Sequence, residues 1–219
     1  MHQPTFVICG VDEAGKGSVL GPMVIAAVGV TSEDAFSDIP VKDSKQISPV
    51  ERERLYALIR KRCRTATVVI EADEIDMIRQ EMTMNACVAR AHADVIRRLS
   101  PKTAYVDACD VNPLRYAETI KSHLDYPCEV VSEHHADEKY PVVSAASIIA
   151  KVTRDRAINK LKKKYGDIGS GYPADPVTIA YLSSYIDEYK CPPPIARKSW
   201  KTVIAMMGKK EQSRLAEFF

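Results

Sequence analysis

The fold of this chain is constrained most strongly by five short apolar runs that are rich in β-branched residues and are separated by turns and helical patterns. The first two runs, TFVICGV and MVIAAVGV, are joined by a short glycine-rich loop, which predicts that they pair as hairpin-like neighbours. The runs TATVVIEA, TAYVDA and CEVVSEH then alternate with segments of helical periodicity. This order predicts an α/β layered fold, in which helices flank a mixed five-stranded sheet.

Other signals in the sequence predict where helices and loops lie. One helix begins with Ser48 as its N-cap, Pro49 as its first residue and Glu51 as the partner in a capping box. A long helix is predicted over about residues 141–165, and the segment PVTIAYLSSYIDEY is predicted to be helical. Between them lies GSGYPADP, a turn-rich loop. The three consecutive prolines of CPPPIARKSW break the pattern and predict a domain edge.

Charged residues are distributed unevenly, although the formal net charge is only +2. Basic residues are concentrated in RERLYALIRKRCR and KVTRDRAINKLKKKYG. Basic helices around an acidic centre suit a polyanion held near a metal site, and the alternative is that both segments are solvated helix faces. The six cysteines lack zinc-type spacing, and no membrane-length apolar run or signal peptide occurs. We therefore expect a cytoplasmic protein with reduced cysteines.

Three of the apolar runs are followed by acidic residues. Asp12 and Glu13 close the first run, Asp107 closes the fourth, and Asp137 lies just past the fifth. If the first and fourth strands are parallel neighbours, these carboxylates meet at one edge of the sheet. Carboxylates that close together require a cation, and an all-oxygen site favours a pair of Mg²⁺ or Mn²⁺ ions, which suits phosphoryl transfer. The alternative is that each acid is only a helix N-cap or a turn residue.

The glycines after the first run are a weak match to a dinucleotide-binding loop. Gly15, Gly17 and Gly21 form G-x-G-x-x-x-G, which is one residue longer than that fingerprint. The segment that follows begins with Pro22 and has the pattern of a strand, whereas a phosphate site needs the N-terminus of a helix. Both observations argue against a Rossmann-type site.

Five segments of the chain together resemble ribonuclease HII, the type 2 ribonuclease H, in its archaeal form. They are GVDEAGKGSVLGPMVIAAV, KDSK, YVDACDVNP, HHADEKYPVVSAASIIAKVTRD and GSGYPADP, in this order over roughly residues 7–200. The resemblance implies a ribonuclease H-like fold and an endoribonuclease that uses two divalent ions. Such an enzyme hydrolyses the phosphodiester on the 5′ side of a ribonucleotide, in RNA/DNA hybrids or in duplex DNA, and leaves 3′-hydroxyl and 5′-phosphate ends.

The same resemblance implies roles for individual residues. The catalytic and metal-binding set is Asp12, Glu13, Asp107 and Asp137, and the nearby Asp110 is interpreted as a cap of the following helix. Main-chain groups of a glycine-rich element and one loop tyrosine recognise the ribose, and polar side chains contact phosphates. The substrate-binding residues implied are Gly15, Lys16, Gly17, Lys45, Ser144, Ser147, Lys151, Arg154 and Tyr172.

Some of these assignments have an open alternative or depart from the family pattern. Ser144 and Ser147 can equally be small packing residues. Many family members carry arginine at the position of Lys16, so a point charge replaces a bidentate fork. Archaeal relatives commonly carry lysine where this chain has His135, which puts one backbone contact in doubt and introduces a group that titrates near neutral pH.

The last residues of the chain fit a further motif. Gln212, Leu215, Phe218 and Phe219 form Q-x-x-L-x-x-F-F, which resembles the sliding-clamp-binding box. One helical turn would bring the three apolar side chains together as a plug, and the alternative is a terminal amphipathic helix packed on the protein's own core. We therefore expect three parts: a ribonuclease H-like catalytic domain (1–190), a C-terminal helix and linker (191–211) and a clamp-binding tail (212–219).

Two other functions remain open from the residues alone. One is a nucleic-acid-binding protein whose acidic cluster is structural, and the other is a two-metal nuclease that does not select ribose. A monomer is sufficient for either function and for the ribonuclease.

Overall fold

The computed structural model describes residues 7–39, 41 and 47–216, with side chains in the last helix described as far as residue 208. Its five strands are β1 (Ile8–Ala14), β2 (Met23–Val30), β3 (Arg64–Ile70), β4 (Thr103–Asp107) and β5 (Glu129–Glu133). They form one sheet in the order β3-β2-β1-β4-β5. Strand β1 is antiparallel to β2 and parallel to β4, which is itself parallel to β5. The predicted mixed five-stranded sheet is therefore confirmed.

Strand β1 is longer than its apolar run. It was expected to stop at Asp12, but it continues through Glu13 to Ala14. Asp12 and Glu13 pair with Ala26 and Ile25 of β2, so their backbone groups are held in the ladder while their side chains project from it. Rigid β-structure therefore holds both carboxylates, as a catalytic site requires.

Eight helices and one 3₁₀ turn (Glu33–Phe36) accompany the sheet among the described residues. The helices are α1 (Pro49–Arg62), α2 (Ala72–Glu81), α3 (Met84–Leu99), α4 (Pro113–Ser122), α5 (Ala136–Lys139), α6 (Pro141–Tyr165), α7 (Pro176–Tyr189) and α8 (Lys201–Ala216). The predicted bounds of α6 and α7 are confirmed. Helix α2 was not predicted, because a reciprocal pair of glutamates, Glu71 and Glu74, caps it in place of the usual small polar residue. No described helix has the combination of length and apolarity that crossing a membrane requires.

The N-terminus of α1 shows how far a sequence signal extends. The Ser48 hydroxyl accepts the backbone N–H of Glu51 at 3.2 Å, as predicted. The Glu51 carboxylate pairs with Arg54 one turn further along the helix. The helix start is therefore confirmed, and the acidic side chain expected for the capping box forms an ion pair on the surface.

The chain divides into two compact units. The first comprises residues 1–14, 24–69 and 83–153, and the second comprises residues 15–23, 70–82 and 154–219. The core of the first unit is formed by apolar residues of β1, β2 and α1 with the first half of α6, and that of the second by residues of α7 with Val19, Leu20 and the chain around Ala196. The three-part division expected from the sequence remains a prediction.

The polyproline segment lies inside the second unit. Leu20 forms a bridge with Ala196, and the Gly21 N–H donates to the Ile195 carbonyl at 2.9 Å. The stretch after the prolines therefore packs along the glycine-rich loop that follows β1.

Gly10 brings α6 close to the sheet. A Cβ atom at this position would lie 2.2 Å from the carbonyl carbon and oxygen of Val142. No side chain larger than hydrogen fits there, so the first turn of α6 packs directly on the backbone of β1. This contact sets the position of the α6 residues that follow, among them Ser144 and Ser147, both buried.

Candidate active site

The four predicted carboxylates all belong to the first unit. Strands β1 and β4 are parallel with Val11 opposite Val106, so Asp12 and Asp107 follow side by side at the ends of adjacent strands. Asp137 lies in α5, directly after the turn that follows β5. Asp12 and Asp137 are buried. The convergence expected from the sequence is therefore present at one sheet edge.

The pKa values of these carboxyl groups depend on the charges of their neighbours in the cluster. Burial raises the pKa of Asp12 well above its usual value, and the charges of Glu13 and Asp107 raise it further. The Ser147 hydroxyl and the Glu13 N–H, which donates to Asp12 Oδ1 at 2.7 Å, act in the opposite direction. The pKa of Asp107 is also raised, first by burial and then by Asp137 and Glu13, against the N–H of Ala136 at 2.8 Å. The cluster therefore holds negative charge that the protein compensates only in part.

These residues fit a hard divalent cation. Their donors are carboxylate oxygens, and a cation would relieve the repulsion that raises the pKa of Asp12 and Asp107. Asp137 also belongs to a group with His135 and Glu138 in which one ligand atom of each lies within 4.8 Å of the others. The donor chemistry matches Mg²⁺ or Mn²⁺.

Asp110 has a different environment from the four carboxylates. It accepts the backbone N–H of Asn112 at 3.0 Å and the side chains of Asn85 and Arg115, which together lower its pKa. The N-cap of α4 is Asn112, which accepts the N–H of Arg115 at 3.1 Å. Asp110 therefore accepts a hydrogen bond from Asn112, the N-cap of α4, and is not itself the cap of that helix.

The glycine-rich element lies in the second unit, and its glycines differ from one another. Gly15 has φ +86°, and a Cβ there would lie 2.3 Å from Nε of Arg154, so the fold itself requires glycine. At Gly17 a Cβ would meet no described atom within 4 Å. Gly17 is exposed, so its lack of a side chain serves no packing purpose in the described structure. Lys16 between them is half-buried.

Tyr172 lies in the same unit on the predicted loop, with 36% of its surface exposed. The guanidinium of Arg154 lies 4.6 Å from the centre of its ring. Arg154 is itself buried and donates to the carbonyls of Pro22 at 3.3 Å and Ser170 at 3.1 Å, and burial lowers its pKa. Arg154 therefore supports the loop that carries Tyr172 through its contacts with the Ser170 carbonyl and the Tyr172 ring. A phosphate contact from Arg154 remains a prediction.

The other residues predicted to bind substrate or a partner have varied surroundings. Ser144 donates its hydroxyl to the Val41 carbonyl. The Ser147 hydroxyl lies close enough to lower the pKa of Asp12, but it makes no hydrogen bond of ordinary geometry with a described group. Lys151 is half-buried on α6. Lys45, Phe218 and Phe219 lie outside the described residues, and Gln212 and Leu215 are described only as backbone of α8.

Two buried residues that contact Glu13 and the glycine-rich element were not predicted from the sequence. His92, in the middle of α3, has no exposed surface, and its Nε2 lies 3.1 Å from Oε2 of Glu13. Arg197 is also fully buried and donates to the carbonyls of Lys16 at 2.9 Å and Gly21 at 3.1–3.2 Å. The available signals were a histidine on an apolar helix face and an arginine three residues after the last of three consecutive prolines. Neither signal indicates its partner.

Comparisons with known proteins agree with this fold. The family model described as ribonuclease HII matches residues 9–203. A ribonuclease HII from Methanoregula boonei is 70% identical, over 97% of this chain and 100% of its own length. The ribonuclease H2 structure from Pyrococcus horikoshii OT3 superposes with a TM-score of 0.87 at 42% identity, covering 94% of this chain and 99% of that one. A chain in the PCNA:RNase HII complex from Archaeoglobus fulgidus superposes with a TM-score of 0.84 at 44% identity, covering 89% and 95%. The chain therefore belongs to the ribonuclease HII family, in its archaeal form, and is a ribonuclease H enzyme.

Proposed function

We propose that this enzyme hydrolyses the phosphodiester on the 5′ side of ribonucleotides, both in RNA/DNA hybrids and in duplex DNA with embedded ribonucleotides. It leaves 3′-hydroxyl and 5′-phosphate ends, and so serves ribonucleotide removal and RNA primer processing. The observation that carries the proposal is the acidic cluster of Asp12, Glu13, Asp107 and Asp137, in which the pKa of Asp12 is raised by burial and by two neighbouring carboxylates. Carboxylates with mutually raised pKa values are typical of functional sites, and a bound cation relieves their repulsion.

The four carboxylates would hold two divalent ions, Mg²⁺ or Mn²⁺. When bound, such ions lower the pKa of an attacking water and stabilise the negative charge on the leaving 3′-oxygen. The protein's part is orientation: the Glu13 N–H holds Oδ1 of Asp12, and the Ala136 N–H holds Oδ1 of Asp107. These hydrogen bonds restrict rotation of each carboxylate, so that its other oxygen is oriented to bind a cation.

Selection of ribose would depend on main-chain groups. The open space at Gly17 allows a sugar to approach the backbone, and the 2′-hydroxyl both donates and accepts hydrogen bonds. Tyr172 would contact the sugar at the RNA–DNA junction. Phosphates would be bound by the remaining predicted set, Lys16, Lys45, Ser144, Ser147, Lys151 and Arg154.

The C-terminal box would bind a sliding clamp. Support comes from the match of Gln212, Leu215, Phe218 and Phe219 to the box and from the similarity of this chain to the RNase HII in the PCNA complex. We further propose that the enzyme acts as a monomer. A clamp pull-down with Phe218→Ala and Phe219→Ala should lose binding while cleavage of a short duplex persists. Unchanged capture by the double variant contradicts the clamp proposal.

One cleavage assay separates the candidate functions. The substrate is an end-labelled duplex with a single embedded ribonucleotide, incubated with Mg²⁺ or Mn²⁺, and the control is the same duplex made of DNA alone. We expect a single cut on the 5′ side of the ribonucleotide, and we expect Asp12→Asn to abolish it. Equal cutting of the DNA-only duplex would indicate a nuclease that ignores ribose, and binding without cutting would indicate a non-catalytic cluster.

A further inference from the structure

His92 is a buried polar residue whose two ring nitrogens both have partners. Nε2 lies 3.1 Å from Oε2 of Glu13, and Nδ1 lies 3.1 Å from the hydroxyl of Tyr116. The ring also packs edge-on against the Tyr116 ring, with centroids 5.8 Å apart. These residues come from α3, β1 and α4, all within the first unit. Burial of a histidine in such a network is costly unless every nitrogen is satisfied.

The chemistry of the partners determines the direction of both hydrogen bonds. An ionised carboxylate only accepts, so the contact with Glu13 requires a proton on Nε2. In the neutral imidazole Nδ1 is then the acceptor, and the Tyr116 hydroxyl donates to it. Burial and the neighbouring Cys109 and Glu13 raise the pKa of Tyr116 far above its usual value, so the phenol keeps the proton that it donates. The network therefore runs from the tyrosine through the imidazole to the carboxylate.

This arrangement restrains one oxygen of the Glu13 carboxylate. Oε2 lies 3.1 Å from Nε2 of His92, a fully buried ring of the first unit. The Glu13 side chain is 13% exposed and His92 has no exposed surface, so the restraint comes from the protein interior. A hydrogen bond from an interior donor to a metal-binding carboxylate is a recurrent way to orient it.

We propose that His92 is a positioning residue, which orients the Glu13 carboxylate for cation binding through Nε2 and is itself held by Tyr116. The inference rests on the proposed metal-binding role of Glu13. Loss of the donor leaves a buried carboxylate able to rotate, which weakens cation binding and slows the chemical step without altering contacts to the nucleic acid.

The experiment compares three variants of the full chain. His92→Leu removes both hydrogen bonds, His92→Gln keeps an N–H donor that can reach Glu13, and Tyr116→Phe removes only the hydroxyl that holds the ring. The readouts are kcat and KM on the single-ribonucleotide duplex, and the affinity of the nucleic-acid-free protein for Mn²⁺ by titration calorimetry. Circular dichroism and urea unfolding establish that each variant is folded.

For His92→Leu we expect about a 10–100-fold loss in kcat and in Mn²⁺ affinity, with KM within about threefold of the parent. His92→Gln should recover most of both losses, and Tyr116→Phe should show a smaller loss of the same kind. Folded His92→Leu with parental kcat and Mn²⁺ affinity overturns the inference. Equal losses in the Gln and Leu variants also overturn it, because packing alone would then explain them.

Two controls keep the inference separate from the proposed function. Glu13→Gln should abolish cleavage, and full activity in that variant would contradict the metal-binding role of Glu13 itself. If Glu13→Gln is inactive while the His92 and Tyr116 variants match the parent, only the positioning role fails. Should His92→Leu fail to fold, the comparison of Tyr116→Phe with the parent decides, because that change preserves the shape of the side chain.

Discussion

Three nearby glycines, Gly10, Gly15 and Gly17, are explained by different physical requirements. Gly10 is required by the fold, since a Cβ there would lie 2.2 Å from the backbone of Val142. Gly15 is required by its left-handed backbone and by Arg154. Gly17 meets neither requirement, because the described structure leaves open space around it. Glycine at this position of the G-K-G motif is then explained by a ligand that approaches the backbone.

Substituting Gly17 by alanine tests this assignment at the residue scale. We expect the free energy of unfolding of Gly17→Ala to stay within about 0.5 kcal/mol of the parent. Its kcat/KM for the single-ribonucleotide duplex should fall by about tenfold or more, because a methyl group would displace the sugar from its backbone partners. Gly10→Ala is the matched control and should lose about 1–3 kcal/mol of stability through overpacking. Parental activity in a folded Gly17→Ala protein would contradict backbone recognition at this position.

At the scale of secondary-structure elements, the loop that carries Tyr172 is tied to the N-terminus of α7. Asp175 is the N-cap of that helix and accepts the N–H groups of Val177 at 3.0 Å and Ser170 at 2.6 Å. The Thr178 hydroxyl donates to the Ile168 carbonyl at 3.0 Å. One residue therefore both starts the helix and ties the preceding loop to it.

The same carboxylate makes a pH-dependent contribution to stability. Its hydrogen bonds lower the pKa of Asp175 from 3.8 to about 2. Because the folded-state pKa is lowered, the contribution is present above pH 3.8 and is lost as the pH falls through about 2. Asp175→Ala should therefore be less stable than the parent at pH 7, with a difference that narrows between pH 4 and pH 2. Urea unfolding over this range measures it.

Asp175→Asn serves as the matched control for this prediction. Asparagine is a good N-cap but carries no charge, so it keeps the capping hydrogen bond and loses the titration. Its unfolding midpoint should lie between those of the parent and the alanine variant at pH 7. An alanine variant whose stability differs from the parent by the same amount at pH 7 and pH 2 would exclude a charged cap.

At the scale of the whole molecule, the carboxylates proposed to bind the metal ions lower the stability of the metal-free protein. Raised pKa values of Asp12 and Asp107 mean that their ionisation is unfavourable in the folded, metal-free protein. A raised folded-state pKa stabilises the folded protein below the ordinary pKa of an aspartate, where the group is protonated. This stabilisation is lost as the pH rises through the folded-state pKa. A bound divalent cation reverses this balance, because it binds the folded state and relieves the repulsion.

Asp12→Asn should therefore raise the stability of the metal-free protein while it abolishes cleavage. We expect a gain of about 0.5–2 kcal/mol in chelator at pH 7–8, and a smaller increase of Tm on adding Mg²⁺ than the parent shows. The gain should shrink as the pH is lowered, because the parent aspartate then becomes protonated. Thermal unfolding with chelator and with Mg²⁺ measures all three effects. A metal-free variant less stable than the parent would show that the Asp12 charge is compensated within the protein.

Local patterns in the sequence were sufficient for much of this structure. The strand positions, the bounds of α6 and α7 and the N-cap of α1 all depend on residues within a few positions of one another. The run after β3 is the exception, since α2 has an unusual glutamate cap. Spacing and motif order were also sufficient to recognise the family.

Only the tertiary structure decided how those elements serve the site. Glu13 and His92 are 79 residues apart, and Gly21 and Arg197 are 176 residues apart, yet each pair is in contact. No periodicity or motif connects such residues. Their contacts depend on how α3 packs on the sheet of the first unit and on how the polyproline segment packs within the second unit. The sequence by itself determined the family, most of the helices and strands, and the candidate carboxylates. The fold decided which buried groups contact those carboxylates, because such contacts join residues far apart in the chain.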